Sequence, residues 1–265
     1  RVEAIGIFGI GGFLGMLVGP FLGDLFLYER EWANFAALFI VAALANILPA
    51  IGLYFLRPTD SEGTNSSLRL SEFLRVARRH WPGMILFVDL TFGVCMSGPF
   101  IFVASFVDRA SLEIKGVSVI GLFFLCYAGM GISVRLSSRR LPDRIGARKV
   151  LLVGMVVMAA GMLCFGLVSA RHSWMIVVPA LLAGIGHGLM FHTMTSLTLE
   201  AFPKEVRGTG SSLALMMLDA GTLTGAPVLG LIGERFGFAA LFGAIGVLCL
   251  VTAGAYAVTS RPAPA

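Results

Sequence analysis

Phe35-Ala36-Ala37-Leu38-Phe39 recurs letter for letter as Phe238-Ala239-Ala240-Leu241-Phe242. Each copy opens a long apolar run. Each also follows another run that begins on a basic residue, Arg1 or Arg207, and carries a Gly-xxx-Gly pair, Gly15/Gly19 or Gly221/Gly225. The duplicated unit is therefore a pair of helices. Four more apolar runs separate the copies, so a duplication of the whole unit puts four runs ahead of the first copy as well. On that reading the chain corresponds to the last eight spans of a twelve-span protein made of two six-span repeats.

Composition places these runs in a membrane. The chain is 57% hydrophobic and 13% charged, with a mean hydropathy of +0.89, whereas soluble domains carry about 25% charged residues. Crossing the hydrocarbon takes roughly 20 mostly apolar residues as helix. The stretches long enough to do so are 4–28, 32–56, 82–107, 117–134, 150–170, 174–199, 211–232 and 236–258. The expected fold is thus an all-α membrane protein with eight transmembrane helices. It divides into 1–56, the last two helices of a first repeat; 57–81, a cytoplasmic linker; and 82–265, a second six-helix repeat.

The net charge of +5 invites a nucleic-acid partner, but the positions of the basic residues argue against one. One set of alternate loops, with both ends, holds 15 of the 20 Lys and Arg; Arg30, Arg109, Lys115, Arg171 and Arg235 make up the other set. Such a bias marks the first set as cytoplasmic, which puts both ends in the cytoplasm, the chain across a cytoplasmic (inner) membrane, and makes the lipid bilayer a partner. Within the linker, Leu68, Leu70, Phe73, Leu74 and Ala77 oppose Arg69, Arg75, Arg78 and Arg79, the pattern of a short helix lying at the interface. Cys95, Cys126, Cys164 and Cys249 fall inside apolar spans without metal-ligand spacing and read as small core residues. The chain opens on Arg1 with no initiator Met and no signal segment, as expected of a piece of a longer product.

Three motifs go beyond topology. In the first span, Gly6, Gly15, Gly19, Pro20 and Gly23 follow the pattern G-x8-G-x3-G-P-x2-G-G, with Asp24 in the last position. Between spans four and five, Asp143, Arg144, Gly146, Arg148 and Lys149 form D-R-x-G-x-R-K; Pro203-Lys204-Glu205-Val206-Arg207-Gly208 leads into span seven. The first pattern resembles the antiporter motif in the fifth helix of the drug:proton antiporter branch of the major facilitator superfamily. The second resembles that superfamily's cytoplasmic gate loop, with Arg139 where the family has its leading glycine.

The resemblance covers the whole chain and aligns it with the family's helices five to twelve. It implies a major facilitator-type bundle whose first repeat is truncated. It further implies that Asp143 latches the cytoplasmic start of the first span, around Ala4 to Gly6 and Arg1, by pairing with free N–H groups and the positive end of the helix dipole. Physically, Gly15, Gly19 and Gly23 form one helical stripe that lets another backbone approach closely, and Pro20 bends the helix.

A charge at the bilayer centre costs at least about 2.5–3.5 kcal/mol and usually faces a cavity or partner. Asp89, His187, His192 and Asp219 are the ionisable groups well inside spans, whereas Asp24 and Arg135 lie near span ends and are expected to snorkel. Asp89, Gly93, Met96 and Phe100 share a stripe, and Ser97-Gly98-Pro99 should break the helix just beyond them, as in solute and ion sites of transporters. His187 and His192, five residues apart, lie about 140° from each other around a helix, which argues against a two-histidine metal site. Histidine titrates near neutral pH, as proton coupling requires. Asp219 points nearly half a turn away from Gly221 and Gly225.

No G-x4-G-K-[S/T], H-E-x-x-H or G-x-S-x-G occurs, so neither ATP drive nor these hydrolase chemistries are indicated, and no cofactor or metal is expected. The resemblance implies a secondary active transporter, a proton-coupled exporter of small organic solutes, with the proton as coupling ion. An importer or facilitator, and a non-transporting membrane interaction protein, are the alternatives. A lining of Phe100, Tyr127, Phe191 and Met194 points to an apolar or amphipathic solute.

Overall fold

The computed structural model describes residues 2–26, 31–55 and 70–260; the side chains of residues 2–9, Phe21, Asp24 and Leu53 are outside the description. The described residues are helical throughout, apart from short connections and one isolated bridge between Ile114 and Val117. The helices are α1 (Val2–Phe26), α2 (Trp32–Ala45), α3 (Ile47–Phe55), α4 (Leu70–Arg79), α5 (Ile85–Ser97), α6 (Val103–Arg109), α7 (Val119–Ser138), α8 (Leu141–Ile145), α9 (Ala147–Cys164), α10 (Val177–Glu200), α11 (Arg207–Phe236) and α12 (Phe238–Thr259). Among the described residues seven helical stretches, against the eight expected, are long and apolar enough to cross a membrane; α1 is a helix of 25 residues whose apolar stretch is the shorter Ile10–Pro20.

One expected continuity and one expected break are modified. The second span divides into α2 and α3 at Asn46, whose side-chain amide donates to the Ala42 carbonyl at 2.8 Å. Pro49 sits in the first turn of α3 and has no N–H to extend the ladder backwards. Conversely, the break expected at Ser97-Gly98-Pro99 is not a break. One π-helical turn, Gly98–Phe102, joins α5 to α6, so that residues 85–109 run as one span. A wider turn absorbs the ring and missing donor of Pro99 without ending the helix.

Helices α5, α7, α9, α10, α11 and α12 pack into one bundle, and α1 leans on α7 and α10. Glycines set the closest crossings. A Cβ on Gly93 would run into the Leu218 carbonyl of α11, and one on Gly221 into the Leu90 carbonyl of α5, so these two helices meet backbone to backbone. Gly161 of α9 would put a Cβ 2.8 Å from the Ala183 nitrogen of α10. Near the ends of α6, α9 and α12, Phe106, Phe165 and Phe242 form an aromatic core in which Phe165 and Phe242 stack at 3.8 Å.

The duplicated pentapeptide meets two environments. Phe242 is fully buried, whereas Phe39, its counterpart, is 71% exposed and no residue of α2 is buried. Burial follows the neighbours, since the turn after α9 supplies Phe165 to Phe242 and no described helix does the same for α2. The amphipathic helix α4 lies against the base of α11, with Phe73, Val76 and Ala77 packed on Leu86, Phe202 and Leu213. Leu70 and Leu74 stay exposed on it, and Leu68 and Arg69 lie outside the described residues.

Candidate functional site

A cavity of about 520 Å³ opens between α1, α5, α7, α10 and α11. Gly12, Phe13 and Met16 line it from α1; Phe92, Met96, Phe100, Arg135, His187, Phe191, Leu218 and Thr222 complete most of the wall. Its size is that of an ordinary small-molecule site, and its lining is mostly apolar with a few polar groups.

Phe13 organises one side. Its ring fills a notch over Gly131 of α7, where a Cβ would collide with it, and it is 1% exposed. The ring centroid lies 4.5 Å from that of His187, and the Arg135 guanidinium carbon sits 4.6 Å above it. Arg135 is simultaneously 5.2 Å from the Phe191 centroid, so the cation is held between two aromatic faces. The expectation that Arg135 snorkels is therefore corrected. It is 3% exposed, and its Nε and Nη1 are buried with no hydrogen-bond partner among the described residues. A position three residues from the end of α7 does not reveal this, because the two rings come from α1 and α10.

His187 lines the cavity, and its Nδ1 lies 2.7 Å from the Tyr127 hydroxyl. Tyr127 can donate to Nδ1 or to the Met96 sulfur at 3.6 Å, which ties the histidine to the α5 wall. Of the expected lining, Phe100 and Phe191 are in place. Tyr127 and Met194 are instead buried behind the wall. The stripe running through Asp89 is also divided. Met96 and Phe100 reach the cavity, whereas the Gly93 carbonyl accepts from Thr222 at 3.1 Å in the α5–α11 crossing.

Asp89 is fully buried. Its Oδ2 accepts from the Thr198 hydroxyl at 2.9 Å, and its Oδ1 has no partner among the described residues. His192 is also buried, at 2% exposure, with both ring nitrogens unpartnered among the described residues. Asp219 is exposed on α11 and lines no part of the cavity, while Gly221 and Gly225 are buried against α5. Among the described residues, no three of His, Cys, Asp and Glu converge as a metal site would require.

The motif residues behave differently from the spacing argument. At Gly15, Gly19 and Gly23 a Cβ would meet nothing within 4 Å, so the expected close backbone approach is not made among the described residues. α1 packs instead through Phe13, Met16 and Leu17, and Pro20 is carried inside a continuous helix. Gly6 lies in α1, where side-chain surroundings are outside the description.

In the gate loop, Gly146 takes φ +91°, a left-handed conformation that suits glycine, and separates α8 from α9. Arg148 donates through Nε to Ser260 Oγ at 2.8 Å and through Nη2 to the Ala257 carbonyl, which closes the C-terminal end of α12. Asp143 and Arg144 are exposed. Arg1 and the side chains around Ala4 to Gly6, against which the latch would act, lie outside the description.

Comparison with known proteins follows the same lines. The family description "Major Facilitator Superfamily" matches residues 1–145 and again residues 138–265. The multidrug resistance protein MdtH of Cronobacter sakazakii is 30% identical over 154 residues, covering 56% of this chain and 36% of that one. MdtH of Citrobacter koseri is 30% identical over 122 residues, covering 46% and 29%. An uncharacterized MFS-type transporter of Bacillus subtilis, YwoD, is 29% identical over 152 residues, covering 57% and 33%. The matched stretch amounts to about a third of the length of these curated relatives.

Proposed function

The chain belongs to the major facilitator superfamily, and we propose that it carries the solute cavity of a proton-coupled exporter of small organic solutes in a cytoplasmic membrane. It is a multi-pass membrane protein of a transporter family. In the proposed arrangement 82–265 is one six-helix repeat, 1–56 contributes the last two helices of the other, and both ends face the cytoplasm. The observation that carries the reading is the cavity itself, which α1 walls on one side and α5, α7, α10 and α11 on the other. Relative movement of two such walls is how transporters of this architecture expose one site to alternate sides.

Coupling requires groups able to exchange a proton in step with the solute. His187 lies in the cavity wall, and Asp89 is buried one helix turn from Phe92 on the same helix. A single hydroxyl partner on Asp89 leaves Oδ1 free to take a proton. Export is supported by the relatives named as multidrug resistance proteins.

The test uses inverted membrane vesicles containing the intact gene product and an acid-inside proton gradient. A panel of lipophilic solutes should enter the vesicles and dissipate the gradient as they do. Solute entry without proton movement would make the protein a facilitator. Absence of any solute movement would make it a membrane interaction protein.

A further inference from the structure

We propose that the cavity selects organic anions, with Arg135 as the group that receives the negative end of the solute. The inference rests on the reading of this cavity as the solute site. Its starting point is an arginine that is 3% exposed, with Nε and Nη1 buried, and that lines the cavity. Burying such a charge is costly unless it is paired and its N–H groups find acceptors. The neighbours of Arg135 meet only half of that requirement. Phe13 and Phe191 offer their faces at 4.6 and 5.2 Å, which favours the positive charge, yet a ring face does not replace the acceptors that a planar guanidinium fork calls for. Nε and Nη1 accordingly have no hydrogen-bond partner among the described residues.

Among the described residues no carboxylate compensates. The ionisable groups that feel the charge of Arg135 are Tyr127, His187 and His192, a phenol and two imidazoles. Asp89, the buried acid of the bundle, is engaged with Thr198 instead. Apart from Gly12 and His187, the rest of the wall is Phe, Met, Leu and Ile, with Thr222 already donating to the Gly93 carbonyl. One unpaired cation in a mostly apolar cavity describes the complement of its ligand. That ligand has an aromatic or aliphatic body and one carboxylate, sulfonate or phenolate oxygen group able to meet the fork of Arg135.

The experiment measures binding, so that it stands apart from transport. Three probes share one body: 2-naphthoate, 2-naphthalenemethanol and 2-naphthylmethylammonium. Their affinities are measured on the intact gene product in phosphatidylcholine nanodiscs. A charge-assisted hydrogen bond distinguishes the anion from the neutral alcohol by about ten- to hundred-fold, and that preference is the expected result. In Arg135→Met, which keeps an unbranched side chain between the two rings, the preference should vanish while the alcohol still binds. Arg135→Lys should keep an anion preference at reduced strength, which guards against reading a folding defect as lost selectivity.

Equal binding of the three probes, or a preference for the ammonium, would mean that Arg135 is already neutralised in the intact protein. Either result overturns the inference and leaves the cavity a solute site. An anion preference that survives Arg135→Met also overturns it. Loss of naphthoate binding in phosphatidylglycerol nanodiscs would assign the anion site to a lipid headgroup rather than a solute, again against the proposal. Failure of all three probes to bind would remove the solute-site reading on which it stands.

Discussion

Replacing Phe13 with Ala tests whether α1 is locked to α7 and α10 as described. The side chain is 1% exposed and lies over Gly131, with His187 and Arg135 against its ring at 4.5 and 4.6 Å. Truncating a fully buried Phe to Ala costs about 3–5 kcal/mol where the site cannot collapse. Collapse is opposed here because the opposite wall is the cavity itself. The loss includes the contact with the desolvated guanidinium, which is worth about 2 kcal/mol. With roughly 2–4 °C per kcal/mol for a chain of this size, the unfolding midpoint should fall by about 6–20 °C. The transition can be followed in detergent through reaction of a thiol dye with Cys95 and Cys249, both fully buried. Leu14, next in sequence but 49% exposed, is the control, and Leu14→Ala should move the midpoint by no more than about 2 °C. A Phe13→Ala midpoint within that same margin would show that the notch over Gly131 does not hold α1.

Asp89→Asn keeps a side chain able to accept from Thr198 but cannot release a proton, so solute-driven proton movement in vesicles should fall by about ten-fold or more with thermal stability unchanged; proton movement at the original rate would remove Asp89 from the coupling mechanism. Thr198→Val takes away the partner of Oδ2 and should destabilise the protein by about 1–3 kcal/mol, read as a lower midpoint in the same dye assay. Arg148→Ala frees the Ala257 carbonyl and Ser260, and hydrogen exchange should quicken in the last turn of α12 without spreading along that helix. Asp143→Asn in the intact gene product should favour the inward-open state if the loop acts as a latch, and unchanged cysteine accessibility from the cytoplasm would leave the loop as a basic topology signal.

The all-helical fold and the amphipathic pattern of α4 are carried by hydrophobic runs and charge position, which are local properties of sequence. Burial of Asp89, His187 and His192 is legible for the same reason, since each stands well inside an apolar run. Arg135 is not, because its surroundings are supplied by Phe13 and Phe191 from helices distant in sequence. Asp219 shows the converse. It lies as deep in its run as Asp89 does, yet α11 turns it outward once Gly221 and Gly225 are committed to α5. The glycine stripe of α1 has the same spacing as that of α11 but no helix against it among the described residues, so spacing alone does not report an occupied contact. Pro99 carries a second lesson, because a Gly-Pro pair that reads as a helix break can be absorbed by one π turn.

If the protein works as proposed, the cavity between α1 and helices α5, α7, α10 and α11 opens to one side of the membrane at a time. Met16 lines it from α1. A Met16→Cys variant, in a background where Cys95, Cys126, Cys164 and Cys249 are replaced, can be exposed in vesicles to a membrane-impermeant thiol reagent from either face. Labelling is expected from a single face under a given proton gradient, with the reactive face exchanging when the gradient is reversed or solute is added. Labelling from neither face under any condition, or from both faces at once, would contradict alternating access to this cavity.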